Sequence, residues 1–397
     1  MYLKIVKLTF NQIFHLNKFL QIDPVTSRIN FSALDCLRGL AAIYVVFNHA
    51  RGHLFAGGNY LATVKPVQEW SFFEKAYVGL LQTTSLGHEF VIFFFILSGF
   101  SIAFSISRSN GIGGFYKRRL IRIYPPYLLG ILWAIIVFLL IRSAVPQWLS
   151  CTPDNSTAKM MCSSVDFVSA KNILKNIFYM PNGLLLAQYW SLPYEMIFYL
   201  LIPLFIRSVK WYLIISFALY FAVIPFQGLS YHSSNIITDY FIHYNFYFAI
   251  GAWLFYYRGF LEKRLNAFRN KYVFIISALL IFFLMVLLNY YLGEDNFIIE
   301  LLACLFSMLF IKYFLNNNYQ PKLLAFLGKF SYTIYIGHVA AIYLFKVLLY
   351  ALFNYDGSEI TNRYIWLLGV IFAVACCYAL YFVAERPSKN WLKKLRN

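Results

Sequence analysis

The chain has 397 residues, 61% of them hydrophobic and 13% charged, with a mean hydropathy of +0.63 and a net charge of +18. A soluble domain of this length carries about twice that charged fraction. Composition therefore excludes a soluble protein and predicts an all-α, polytopic integral membrane helix bundle, with no nucleic-acid partner.

Apolar runs long enough to cross a hydrocarbon core of roughly 30 Å fall near 34–55, 86–107, 123–142, 190–206, 211–226, 240–257, 272–292, 297–315, 330–353 and 364–384. That is about ten spans. With the N-terminus inside, the inner segments hold 24 Lys and Arg and the outer segments hold eight. Cytoplasmic segments carry the excess of Lys and Arg, so both termini are predicted in the cytoplasm. Three regions follow: 1–31, a membrane domain over 32–390, and a basic tail over 391–397.

In the first region Lys4, Lys7, Asn11, His15 and Lys18 recur every three or four residues among Ile, Leu and Phe. The pattern reads as an amphipathic helix on the inner leaflet, with a loosely ordered tail as the alternative. The first span carries Asp35, Arg38 and His49. Arg38 and His49 are eleven residues apart, close to three helical turns, so they share a face roughly 16 Å apart. Asp35 is placed to pair with Arg38, and His53 continues the face of His49. Ionisable groups inside a membrane segment must face protein or a wet cavity, and they mark a functional site by default. The plainer reading makes Arg38 an interface anchor and His49 a helix-to-helix bond.

The second span opens with His88 and Glu89 at its outer mouth, and Ser98-Gly99 permits close helix approach. Lys117, Arg118, Arg119 and Arg122 then lead into Tyr-Pro-Pro-Tyr127. Arg119 and Arg122 share a helix face, and guanidinium forks match phosphate oxygens. An anion site is expected, against a simple stop-transfer cluster. Cys151 and Cys162 lie in the turn-rich outer loop 143–172, either bridged or as two free thiols. Residues 173–189, broken by Pro181-Asn182-Gly183, read as a re-entrant or surface helix. In the next motif, Tyr189 to Tyr199, Ser191, Glu195 and Tyr199 form one stripe, and Pro193 is expected to kink the helix. Late in the chain stand Ser331-Tyr-Thr-Ile-Tyr-Ile-Gly-His338 and Glu385-Arg-Pro387; His338 reads as structural. Neither a repeat period nor a metal-ligand spacing is evident.

Taken together and in this order, these motifs resemble the acyltransferase-3 family of integral membrane acyl transferases. The resemblance rests on Leu-Arg-Gly-Leu-Ala with Arg38-x10-His49, Phe-Phe-Ile-Leu-Ser-Gly-Phe100, Arg119-x-x-Arg122 with Tyr-Pro-Pro-Tyr, Trp190-Ser-Leu-Pro-Tyr-Glu195, the His338 motif and Glu-Arg-Pro387. It implies transfer of an acetyl or other acyl group from cytoplasmic acyl-CoA to a hydroxyl of an extracytoplasmic carbohydrate or lipid-linked glycan. Surface polysaccharide such as lipopolysaccharide O-antigen, at a bacterial inner membrane, is the acceptor it points to. Some relatives carry a soluble C-terminal domain; a chain of this length is expected to act without one or with a separate partner.

The resemblance makes His49 the catalytic histidine and gives the CoA end to Arg119 and Arg122, with Arg38 and Arg118 as further CoA-binding candidates. His49 would act as general base or carry the acyl group itself, with Glu195 or Asp35 orienting its second nitrogen. Ser98, Tyr194 and Tyr199 are candidate oxyanion donors. His88, Glu89, Trp190 and Ser191 are the candidate acceptor-binding residues. No metal is expected. The rival readings are a transporter or flippase of a small anion or lipid-linked sugar, and a non-catalytic scaffold.

Overall fold

The computed structural model describes residues 31–395 apart from 108–110, 153–154, 228–232, 259–268, 294–295 and 359. The amphipathic pattern of residues 1–20 lies outside these. Among the described residues the chain is helical, with no strand. The helices used below are α1 (Phe31–Leu54), α2 (Phe72–Gln82), α3 (Gly87–Ser107), α4 (Ile112–Ala144), α5 (Ala170–Ile177), α6 (Leu192–Phe205), α7 (Val209–Gln227), α8 (Asn245–Tyr256), α9 (Lys271–Leu292), α10 (Phe297–Asn316), α11 (Lys322–Gly328), α12 (Ser331–Phe353), α13 (Ile365–Tyr381) and α14 (Glu385–Lys394).

Each of the ten expected apolar runs falls on helix. Seven helical runs are long and apolar enough to cross a membrane by length and composition. The difference has local causes. Helix α1 carries Asp35, Arg38, Asn48, His49 and Arg51, so it is not among the seven. Helices α6 and α7 are joined through a 3-10 turn at Ile206–Ser208 and count as one run. The run before α8 passes through a π turn at Tyr240–Tyr244, which leaves α8 short.

Polar residues set the helix boundaries. Ser71 and Glu74 form a reciprocal capping box at the start of α2, satisfying two otherwise orphaned amides. Asn270 and Asn296 cap α9 and α10 through their side-chain oxygens, and Asn354 closes α12 in the left-handed conformation. Pro193 does not kink a helix, contrary to expectation. It sits in the first turn of α6, where its missing N–H would have had no partner anyway.

Helix α1 is central: it packs on α3, α10, α11, α12 and α13. Between membrane helices there is little hydrophobic driving force, so close backbone contact must come from small residues. Glycines supply it in reciprocal pairs. A Cβ on Gly99 of α3 would run into the Phe248 carbonyl of α8, and one on Gly251 of α8 into the Ile96 carbonyl of α3. Gly39 and Gly328 do the same for α1 and α11. Gly39 follows Arg38 directly, so its contact with α11 fixes which way the neighbouring guanidinium can point.

Residues 173–189 are neither one surface helix nor a simple loop. Helix α5 ends at Ile177, Gly183 turns the chain at φ 86°, and Leu184–Ser191 enters the bundle as a 3-10 segment. Irregular backbone at such depth is tolerated only when buried in protein or lining a cavity. Here Leu185, Leu186, Gln188 and Tyr189 are buried against α12. Gln188 Nε2 and the Tyr189 hydroxyl both donate to the Ile336 carbonyl, at 3.1 and 3.0 Å. The loop cysteines Cys151 and Cys162 are joined as a disulfide. The basic tail is helical to Lys394 as part of α14.

Candidate active site

The three arginines of the sequence motifs converge. Arg38 from α1 and Arg119 and Arg122 from α4 line one cavity of about 110 Å³. The Arg38 guanidinium is fixed between Asp35 Oδ1 at 2.5 Å and Ser101 Oγ at 2.6 Å. Arg119 donates to Ser105 Oγ at 2.7 Å, while its buried Nε has no hydrogen-bond partner among the described residues. No hydrogen bond or ion pair ties Arg122 to a described residue. Arg118 does not line this cavity.

Two carboxylates also face this space, and both are engaged. Glu195 accepts from Ser98 at 2.9 Å and from Tyr199. Glu385 accepts from the amide and hydroxyl of Thr333 and pairs with Lys389 at 2.8 Å. The guanidinium N–H groups left over are donors in a confined site, which suits an anion with several oxygens.

His49 opens onto a second cavity, of about 390 Å³. Arg38 and His49 sit toward opposite ends of α1, so the two cavities occupy opposite ends of the bundle. The second one adjoins the start of α3. There the Tyr44 hydroxyl donates to the Thr83 carbonyl at 2.6 Å and Asn48 Nδ2 to the Thr84 carbonyl at 2.9 Å. Helix α1 thus holds the turn that presents His88, whose ring stacks on Trp190 at 5.4 Å. His88 and Trp190 both line the His49 cavity. Ser191, the next residue, faces the arginine cavity instead. Glu89 is buried and lines neither.

Tyr335 belongs to the wall of both cavities. Its hydroxyl donates to the Gln188 carbonyl at 2.7 Å and lies 2.6 Å from Ser191 Oγ. Since that hydroxyl has a single proton, Ser191 is the donor in the second bond. The inserted segment and the α12 tyrosine therefore form one hydrogen-bonded partition.

The expected orienting carboxylates are elsewhere. Asp35 is bonded to Arg38, fourteen residues before His49 on the same helix, and the hydrogen bonds of Glu195 go to Ser98 and Tyr199 on the arginine side. What surrounds His49 is imidazole: His53 stacks at 5.8 Å and His338 lies at 5.1 Å with the rings inclined by 65°. The expected oxyanion donors are also occupied. Ser98 and Tyr199 give their protons to Glu195, and Tyr194 gives its proton to Asp239 Oδ2 at 2.7 Å.

A second polar centre was not legible in the motifs. The Glu300 carboxylate, 1% exposed, accepts from Tyr220, Tyr247, His243 and His88 at 2.5, 2.6, 2.8 and 3.1 Å. A carboxylate taken out of water is stable only when its lone pairs are filled this way. His88 links this centre to the cavity wall. The available signal was an ionisable residue within each of two apolar runs, 240–257 for His243 and 297–315 for Glu300.

A family model described as an acyltransferase domain matches residues 31–382. Acyltransferase MdmB of Streptomyces mycarofaciens is 31% identical over 150 residues, which are 36% of this chain and 35% of that protein. The chain thus spans about a third of the length of that curated relative. No solved structure matches it. The matched region carries Arg38, His49, His88, Arg119, Arg122 and His338, and the chain belongs to the acyltransferase-3 family of integral membrane acyl transferases.

Proposed function

We propose that this membrane acyltransferase moves an acyl group, acetyl in the first instance, from cytoplasmic acyl-CoA to a hydroxyl of an extracytoplasmic carbohydrate such as a surface polysaccharide. In this reading the bundle crosses a bacterial inner membrane ten times, with both termini in the cytoplasm. The observation that carries it is the sharing of Tyr335 by an arginine-lined cavity and a histidine-lined cavity at opposite ends of the bundle.

The nucleotide end of CoA is polyanionic and cannot enter hydrocarbon unpaired. Arg119 and Arg122 hold its phosphates, with Arg38 behind them. A cavity of about 110 Å³ admits the thin pantetheine arm rather than the nucleotide, so the nucleotide stays at the inner mouth. The thioester passes the Tyr335 partition to reach His49. The acceptor enters the wider cavity, where Trp190 and His88 offer a stacked face to a sugar ring.

His49 takes the proton of the acceptor hydroxyl as its oxygen attacks the thioester carbonyl. The carbon–oxygen bond forms, the carbon–sulfur bond breaks, and the proton returns to the thiolate of CoA. A base positioned this way supplies about 10²–10⁴ in rate. The test uses membranes from cells expressing the full chain, incubated with [14C]acetyl-CoA. Label should pass to the polysaccharide or glycolipid fraction with stoichiometric free CoA, and His49→Ala should abolish this at unchanged protein level. Retained transfer in that variant would remove His49 from the mechanism. A transporter would leave acetyl-CoA intact in both.

A further inference from the structure

A third cavity, of about 450 Å³, is a cleft between α8, α9 and α10 with the buried Phe100 of α3 as its floor. It shares no lining residue with the arginine cavity or the histidine cavity. The cleft is there because α9 packs chiefly on α10 and leaves that flank of α8 uncovered. Leu280 of α9 and Leu305 of α10 line it and are 67% and 53% exposed. In a chain that spans a membrane, the cleft therefore opens toward hydrocarbon.

Its lining is apolar along most of its length and basic at one end. On α10, Leu305, Met308 and Leu309 lead to Lys312, which lies two turns beyond Leu305, or roughly 10 Å along the axis. Arg258, just past α8, also lines the cleft. Contacts along α3 advance in step on both neighbours: Ile96 meets Gly251 and Phe100 meets Phe255, while Phe90 meets Phe306 and Phe93 meets Phe310. Helices α8 and α10 therefore run parallel, and their basic ends lie together. The Arg258 guanidinium sits over the Phe255 ring at 4.8 Å and donates to the Phe255 carbonyl at 2.7 Å, which fixes the direction of its planar fork. No Asp or Glu lines the cleft among the described residues.

We propose that this cleft binds one anionic glycerophospholipid, with an acyl chain along the α9–α10 wall and the phosphate against Arg258 and Lys312. A cavity of this size, mostly apolar with a few placed polar groups, suits an amphiphile. Basic pockets between membrane helices on the cytoplasmic side hold anionic headgroups. In the orientation proposed above, the ends of α8 and α10 face the cytoplasm, which puts the phosphate in the inner leaflet. A zwitterionic lipid fills the apolar wall equally well but brings an amine toward two cations. A free phosphate pairs with the cations but leaves the wall open. The cleft is separate from the donor and acceptor cavities, so lipid binds it without either substrate.

The experiment is native mass spectrometry of the full chain, released from detergent micelles that hold equal amounts of dioleoyl phosphatidylglycerol and dioleoyl phosphatidylethanolamine. The chains are identical, so only the headgroups compete. Wild type should retain phosphatidylglycerol over phosphatidylethanolamine roughly thirtyfold, or about fivefold for each cation near the membrane surface. Arg258→Gln with Lys312→Gln should bring that ratio close to one, while Arg258→Lys with Lys312→Arg, which keeps both charges, should preserve most of it. Lys210→Gln, at the exposed start of α7 and outside the cleft, should leave the ratio unchanged. Ser277→Trp, which fills the apolar part, should lower retention of both lipids. Thermal midpoints in lipid-free detergent should show each variant folded. Equal retention of the two lipids in wild type, or an unchanged preference in the double Gln variant, overturns the proposal. Displacement of the lipid by glycerol 3-phosphate would make the cleft a soluble-anion site, and a mass of two chains without lipid would give it to a second copy; either result overturns the proposal too.

Discussion

Tyr335 and Ser191 share a hydrogen bond of 2.6 Å at the junction of the two cavities. The bond is part of a short chain, Ser191 to Tyr335 to the Gln188 carbonyl. It pins the 3-10 segment Leu184–Ser191 to α12 through the residue that lines both cavities. Under the function proposed above, donor and acceptor arrive from opposite sides, and an open channel between them would admit water to the thioester.

The first expected outcome concerns this partition. Tyr335→Ala removes the wall and should let acetyl-CoA be hydrolysed without acceptor, seen as free CoA released in membranes lacking labelled glycan. Tyr335→Phe keeps the ring but leaves the Gln188 carbonyl without its donor, at a cost of about 1–3 kcal/mol. It should lower the thermal midpoint in detergent while keeping hydrolysis low. Equal hydrolysis in the two variants would mean that the ring is not the barrier.

The arginines should separate by variant. Arg122 makes no hydrogen bond to a described residue, so Arg122→Ala should spare stability. It should weaken acyl-CoA binding by the value of a charge-assisted bond, about 1.5–3 kcal/mol, or roughly 10- to 150-fold. Arg119→Ala should lose both affinity and stability, because Ser105 is bonded to it. Calorimetric titration with CoA and thermal denaturation of the same samples would check this. Unchanged CoA affinity in both variants would leave the arginines a structural role.

Glu300 tests the second polar centre. Glu300→Gln replaces a charged acceptor serving four donors with an amide that has one acceptor oxygen. Removing one side of a buried charged network costs about 3–5 kcal/mol, so the thermal midpoint should fall far more than in Tyr220→Phe. His88 should also lose its fixed stacking on Trp190, and quenching of tryptophan fluorescence would report that. A midpoint equal to that of Tyr220→Phe would show that the carboxylate charge is not what holds the centre.

The paired glycines make a claim about coupling. Gly99→Ala and Gly251→Ala each force α3 and α8 apart, at about 1–3 kcal/mol for overpacking. Once one methyl has separated the helices, the other has room. The double variant should therefore cost clearly less than the sum of the singles, as expected for residues in one contact. Additive losses in thermal midpoint would place the two clashes in independent sites.

Much of this molecule follows from local pattern alone. Hydropathy runs mark the helices, because a backbone in lipid must satisfy its own hydrogen bonds. The 3.6-residue period sets Arg38 and His49 on one face and far apart on the axis. The same period puts Asp35 against Arg38, and Ser191, Glu195 and Tyr199 around one cavity. It does not say which helix lies opposite. The ring of His338 that packs edge-on against His49 is 289 positions later in the chain, Glu195 turned to the arginine side, and Glu300 gathered donors from α3, α7, α8 and the π turn before α8. Tyr335 became a partition only because a broken segment around Gln188 was inserted against it. Such pairings depend on glycine contacts and buried hydrogen bonds between distant segments. Apolar surface cannot choose them, since lipid tails solvate it as well as another helix does.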